Sequence, residues 1–175
     1  HDYGDSDTLG DATFTEIRYE LDENFEVSKI GLPSQGRIRI GSDISIFEDY
    51  DITSLAIHEI IHVLGFGILW DGDDFIYGYN LDYYTPAPWN QYGEGDIIDD
   101  YGDYVGTHAL DAYSEFYGSP RDYIPVEKYV GDGSLNGSNY VHWSSDEFDW
   151  EIMSFALKQE KEQTLSKITI ESLKD

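Results

Sequence analysis

The stretch His58-Glu59-Ile60-Ile61-His62 constrains this chain more than any other. Two histidines four positions apart share one face of an α-helix, one turn above the other. Leu55, Ile57, Ile60, Ile61, Val63 and Leu64 make that helix apolar nearly all round. A buried helix over residues 52–64 is therefore expected, with Asp51 or Thr53 as its N-cap. A glutamate and two histidines inside such a helix are costly unless something pairs with them. Hydrogen bonds to neighbours in the core are one solution. The other is a single zinc ion reached by both imidazoles, with Glu59 beside it at the place of a zinc-bound water. That second arrangement is a device for hydrolysis, because zinc acidifies the water and Glu59 is placed to take its proton.

Gly65 can adopt a left-handed conformation, end the helix and turn the chain. A three-ligand site still lacks a donor, and the chain has five histidines. His1 lies in an Asp- and Gly-rich lead-in, residues 1–12, read as poorly ordered. His108 stands at the start of a helix expected over residues 107–117 and is read as structural. His142 precedes Trp143 and lies eleven residues before Met153, the single methionine. Asp71 is the non-histidine candidate for the third ligand, although a solvated loop accounts for Asp71, Asp73 and Asp74. Spacing alone leaves the third ligand open.

A glycine three residues after the second histidine resembles the metzincin metallopeptidases, H-E-x-x-H-x-x-G-x-x-H. Ile68 stands where that motif places its third ligand, and isoleucine cannot bind a metal. The placement of His142 and Met153 resembles one metzincin branch, the leishmanolysin family. There a long insertion separates the glycine turn from the third histidine, and a methionine turn passes beneath the zinc. Gly67, Leu69 and Trp70 look like that family's G-x-L-W. Tyr104, Gly106, Ala109, Ala112 and Tyr113 match a pattern in its insertion, and Ile124, Pro125, Val126 and Glu127 look like its Val-Pro-Val-Glu. His142, Trp143, Phe148, Glu151, Ile152 and Met153 fit its His-Trp…Phe…Glu-Leu-Met. Leu165, Ser166, Ile168, Thr169, Ser172 and Leu173 resemble its closing segment. The matches run from about Ile52 to the end. Ser145 departs from the pattern, standing where close members have glutamate, and Phe155 stands where some other metzincins have a tyrosine near the metal.

The resemblance implies a zinc endopeptidase with His58, His62 and His142 as ligands, Glu59 as general base, and Gly65 and Met153 shaping the site. It implies an α+β, metzincin-like fold: a small twisted N-terminal sheet with the active-site helix, then a mostly irregular C-terminal subdomain. It also implies secretion or a cell-surface location, and the cysteine-free sequence reads as a bacterial relative.

Composition bounds the rest. At 175 residues, 40% apolar and 15% aromatic, the chain reads as one globular domain, with an upper part over residues 1–66 and a lower part over 67–175. It is expected to be a monomer acting on a protein or peptide substrate. The absence of cysteine excludes a disulfide framework and a cysteine-switch zymogen. The net charge of −26 argues against nucleic acid and anionic membranes as partners. It suits an acidic soluble surface in a saline or calcium-rich setting, with bound Ca2+ a secondary expectation. No signal peptide or membrane-spanning apolar run is present, and the His1 start reads as an excised domain or processed product.

Alternation predicts a strand over residues 14–21 with Thr15, Ile17, Tyr19 and Leu21 inward, and a second over residues 37–40. A third is expected at 44–47. Gly31, Pro33 and Gly36 mark residues 22–36 as a connection. In metzincins an edge strand pairs with substrate backbone, and the 37–47 region is the candidate here. Residues 71–102 and 131–140 read as irregular loops. Ser166 or Thr169 is expected to cap a last helix that packs Ile170 and Leu173 on the core. Two rival readings are an inert metzincin-like adhesion or binding module, against which Glu59 argues, and an acidic calcium-binding domain with an incidental motif.

Overall fold

The computed structural model describes residues 9–25, 27–41, 51–67, 69–70, 97–98, 102–128, 141–155 and 163–175. Its architecture is α+β, with a small antiparallel sheet and few helices. The expected strand at 44–47, the loops over 71–96 and 131–140, and His1, Ile68, Asp71, Asp73 and Asp74 lie outside the described residues.

Two long strands form a ribbon, β1 (Gly10–Leu21) and β2 (Val27–Ile40), with Gly10 opposite Ile40 and Leu21 opposite Val27. An Asx turn joins them: the Asn24 N–H donates to the Asp22 carboxylate at 2.8 Å. The expected connection at 22–36 is thus mostly strand. Pro33 and Gly36 lie at or beside register shifts of the ribbon, where a missing N–H or an extra residue is tolerated. The pairing continues across these breakers, which interrupt it without ending it. Residues 10–12 also belong to β1 rather than to a loose lead-in.

Of the residues expected on the inward face of β1, Thr15 and Leu21 are exposed, as are Glu16 and Arg18 on the other face, so the ribbon does not bury one whole face; the side chains of Ile17 and Tyr19 lie outside the description. Contact with the helix is close at Gly36. A Cβ on Gly36 would meet Val63 Cγ1 at 2.2 Å, so only glycine lets β2 approach the helix there.

That helix is α1 (Ile52–Val63). Asp51 caps it, its carboxylate accepting from the N–H groups of Thr53 and Ser54 at 3.0 and 3.3 Å. The Ser54 hydroxyl, followed by these backbone bonds, holds the Asp51 carboxyl below its ordinary value. α1 is not buried all round. Leu55, His58, Glu59, Ile61 and His62 are covered, whereas Ile52, Ile60 and Leu64, spaced by multiples of four, leave one stripe open. Gly65, at φ 115°, then turns the chain, with its N–H on the His62 carbonyl at 2.9 Å.

The hydrophobic core is built around Trp143, which is fully buried. Phe66, Trp70, Tyr104 and Phe148 surround its ring at centroid distances of 4.8–5.8 Å. Isolated bridges tie the irregular segments together, pairing Tyr104 with Ile124 and Trp143 with both Val126 and Ser154. Helix α2 (Thr107–Tyr117) appears as expected, ended by Gly118 in the left-handed region at φ 67°. Gly106 offers no side chain to cap it, and the Asp175 carboxylate does so from afar, accepting from the His108 and Ala109 N–H groups at 2.7 and 3.0 Å. Against α2 packs the short α3 (Lys167–Ser172), capped by Ser166. The cap sets its phase: Ile168, Thr169 and Ser172 face inward, Leu173 packs against the core, and Ile170, expected inside, is 46% exposed.

Among the described residues, no helix is long and apolar enough to cross a membrane.

Candidate metal centre

Helical geometry stacks His58 over His62 with ring centroids 4.7 Å apart. His142 arrives from the 141–143 segment and completes a cluster of three buried imidazoles. Their Nε2 atoms form a nearly equilateral triangle with sides of 3.1, 3.1 and 3.0 Å.

The outer nitrogens explain why those atoms converge. His58 Nδ1 lies 2.6 Å from the Ile152 carbonyl oxygen, and His62 Nδ1 lies 3.0 Å from that of Phe66. A carbonyl only accepts, so each Nδ1 carries the hydrogen and each Nε2 of a neutral ring presents a lone pair. Two lone pairs 3.1 Å apart make no hydrogen bond. A proton between them is disfavoured: burial lowers the His58 pKa, and burial together with charge on the neighbouring rings holds that of His62 well below its ordinary value. A metal ion answers all three donors at once, and the donor set fits one. Metal–nitrogen bonds of about 2.0–2.1 Å place tetrahedral ligands about 3.3–3.4 Å apart, a few tenths of an ångström wider than the triangle.

Glu59 is 4% exposed on the same helix. Burial, and after it the nearby Asp11 carboxylate, raise its pKa to about 7. The start of β1 produces both effects. A Cβ on Gly10 would meet Glu59 Oε1 at 2.7 Å, so the strand lies directly against the carboxyl. Asp11 is held in place by Arg39, whose Nε and Nη2 donate to it at 2.8 and 2.5 Å.

Met153 is fully buried beside the cluster, in the turn whose preceding carbonyl orients His58. Its own carbonyl accepts from the Trp143 N–H at 3.0 Å. Phe155 sets its ring edge against His142 at 5.8 Å. Ser145 donates through its N–H and hydroxyl to Glu127 at 3.0 and 2.9 Å, while the Glu127 N–H donates to the His142 carbonyl at 2.8 Å. His108 takes no part in the site, pairing instead with Asp175 at 2.9 Å.

Some contributors were not assigned a role from sequence. Gly10 and Asp11 gave no local signal, because their partner is 48 or more residues away. Gly67 stood within the G-x-L-W match, and its task is now visible. At φ 73° it packs so closely that a Cβ would meet the Val141 carbonyl oxygen at 2.3 Å, which admits the segment carrying His142. Comparison of the sequence with protein-family models and with curated proteins gave no match.

Proposed function

We propose that this chain is a zinc-dependent endopeptidase of the metzincin, leishmanolysin-like kind, hydrolysing peptide bonds of a protein or peptide substrate. The reading is carried by one observation: the Nε2 atoms of three buried imidazoles lie within 3.1 Å of one another, and the helix that bears two of them also carries the buried Glu59. His58, His62 and His142 would hold the ion as neutral ligands, and three such ligands suit catalytic zinc with one open position. Zinc bound there supplies acidification of a water and polarisation of the scissile carbonyl. Glu59 supplies the proton traffic. Its carboxylate takes a proton from the attacking water and returns it to the leaving amine nitrogen. Carbonyls of Ile152 and Phe66 keep two rings in the tautomer that leaves Nε2 free. The extended substrate backbone would lie along the 37–47 region, of which residues 37–41 are described at the end of β2. By the same resemblance the protein is a secreted or cell-surface bacterial enzyme.

The test is zinc content per chain together with peptidase activity on an unstructured protein, for the native chain and Glu59→Ala. Close to one zinc in both, with activity only in the native chain, is expected. Activity in Glu59→Ala equal to native would remove Glu59 from the mechanism, and absence of zinc from the native chain would sink the reading altogether.

A further inference from the structure

Behind the three histidines lies a fourth buried group that the proton chemistry does not use. Glu151 is 0% exposed, and its two oxygens face different parts of the chain. Oε1 accepts from the Ser166 N–H at 3.1 Å, the Ser166 hydroxyl at 2.9 Å and the Thr169 hydroxyl at 2.5 Å, all at the start of α3. Oε2 accepts from the Met153 N–H. The carboxylate therefore staples the 151–153 turn to the C-terminal helix.

That turn serves two of the three candidate ligands. The Ile152 carbonyl fixes His58 Nδ1 at 2.6 Å, and the Met153 carbonyl holds the Trp143 N–H at 3.0 Å, next to His142. The Trp143 ring returns to the same cluster, its Nε1–H donating to Thr169 Oγ1 at 2.8 Å. Residues from α1, from the 142–143 segment and from α3 thus meet through one carboxylate. We propose that Glu151 is a positioning residue of the metal centre: by fixing the 151–153 turn it sets the orientation of His58 and the placement of His142. The proposal rests on the metal-centre reading of the three histidines.

A carboxyl group meets the demand and an amide does not. Each oxygen receives a backbone N–H, from Ser166 on one side and Met153 on the other, and a backbone N–H cannot turn round to accept. A glutamine in this place must point its NH2 at one of them. In Glu151→Gln either the turn or the start of α3 is therefore pushed away, although size and shape are nearly unchanged.

The experiment compares the full chain, Glu151→Gln and Asp175→Asn, the last weakening the distant cap of α2. Thermal unfolding is measured first. Zn2+ affinity is then measured by chelator competition at a temperature where circular dichroism shows all three folded, along with the visible spectrum of the Co2+ form. Glu151→Gln is expected to bind Zn2+ about 10- to 100-fold more weakly, with altered Co2+ bands. Asp175→Asn is expected to lose thermal stability while keeping its affinity. Equal affinity and an identical Co2+ spectrum in Glu151→Gln overturn the proposal and leave the metal centre standing. An equal loss of affinity in Asp175→Asn reduces Glu151 to a general stabiliser and overturns it too. A native chain that binds no metal overturns both readings together. If Glu151→Gln does not fold, Glu151→Asp decides, since it keeps the carboxylate but is one methylene too short to reach the Met153 and Ser166 N–H groups together. A severalfold weaker affinity supports the proposal, and an unchanged one overturns it.

Discussion

Glu59 and the histidines around it respond to pH in opposite senses. Burial, followed by the Asp11 charge, raises the Glu59 carboxyl from 4.5 to about 7. Between those values the folded, metal-free chain holds a proton that the unfolded chain releases. The stability this contributes is complete below 4.5 and lost as pH rises through 7. His58 and His62 have lowered pKa values, so their contribution is present above 6.5 and lost as pH falls below it. Glu59→Gln removes only the first effect. The metal-free variant is therefore expected to unfold at higher temperature than the native chain at pH 8, with the gap closing toward pH 4. A gap of the same size at both pH values in thermal unfolding would show that burial of charge at Glu59 is not the cause.

At the scale of elements, the decisive junction is the end of α1. The helix delivers His58 and His62 by its own periodicity, but the third imidazole depends on how closely the 141–143 segment can approach. Gly67 sets that distance, having positive φ and no room for a Cβ against Val141. Gly67→Ala is expected to destabilise the chain by about 1–3 kcal/mol through backbone strain. Displacing His142 should also lower zinc affinity by about tenfold or more. Chelator competition on the folded variant checks this, and unaltered affinity would show that His142 reaches the cluster independently of the Gly67 contact. The ribbon illustrates the converse case. Pro33 and Gly36 look like the punctuation of a loop, yet both sit in β2, because the antiparallel pairing absorbs them at irregular register positions. Gly36 goes further and provides the close contact between β2 and Val63 on α1.

At the scale of the whole molecule, charge dominates. A net charge of −26 on 175 residues repels itself in the compact state. Raising NaCl from about 0.01 M to about 1 M shortens the screening length from about 30 Å to about 3 Å. The melting temperature is expected to climb by several degrees over that range, with most of the rise at the low-salt end. A flat profile would mean that bound cations already neutralise the acidic groups, since 10 lysines and arginines cannot do so for 36 aspartates and glutamates.

What was legible in the sequence was local. The spacing of His58 and His62, the Asp51 cap, the Gly65 turn and the 107–117 helix each follow from interactions within a turn or two of chain, and each appears in the structure. His142 was legible through its resemblance to a family pattern; its spacing alone left Asp71 and His108 as alternatives. Other features depended on partners far along the chain. Ile60 looks as apolar as Ile61, but α1 is covered on some faces and not on others, so one is exposed and the other buried. Glu151 stands in a family-like pattern, but its task appears only when Ser166 and Thr169 supply donors from 15 to 18 positions away. Gly10 shows its purpose only against Glu59. The sequence by itself determined which residues could form a helix and carry ligand chemistry, because periodicity and capping are short-range. Only the tertiary structure decided that three imidazoles share one point, that a carboxyl lies buried beside them, and that a second carboxylate staples the turn behind them. Those are contacts between segments up to 84 positions apart, and no local pattern encodes such a distance.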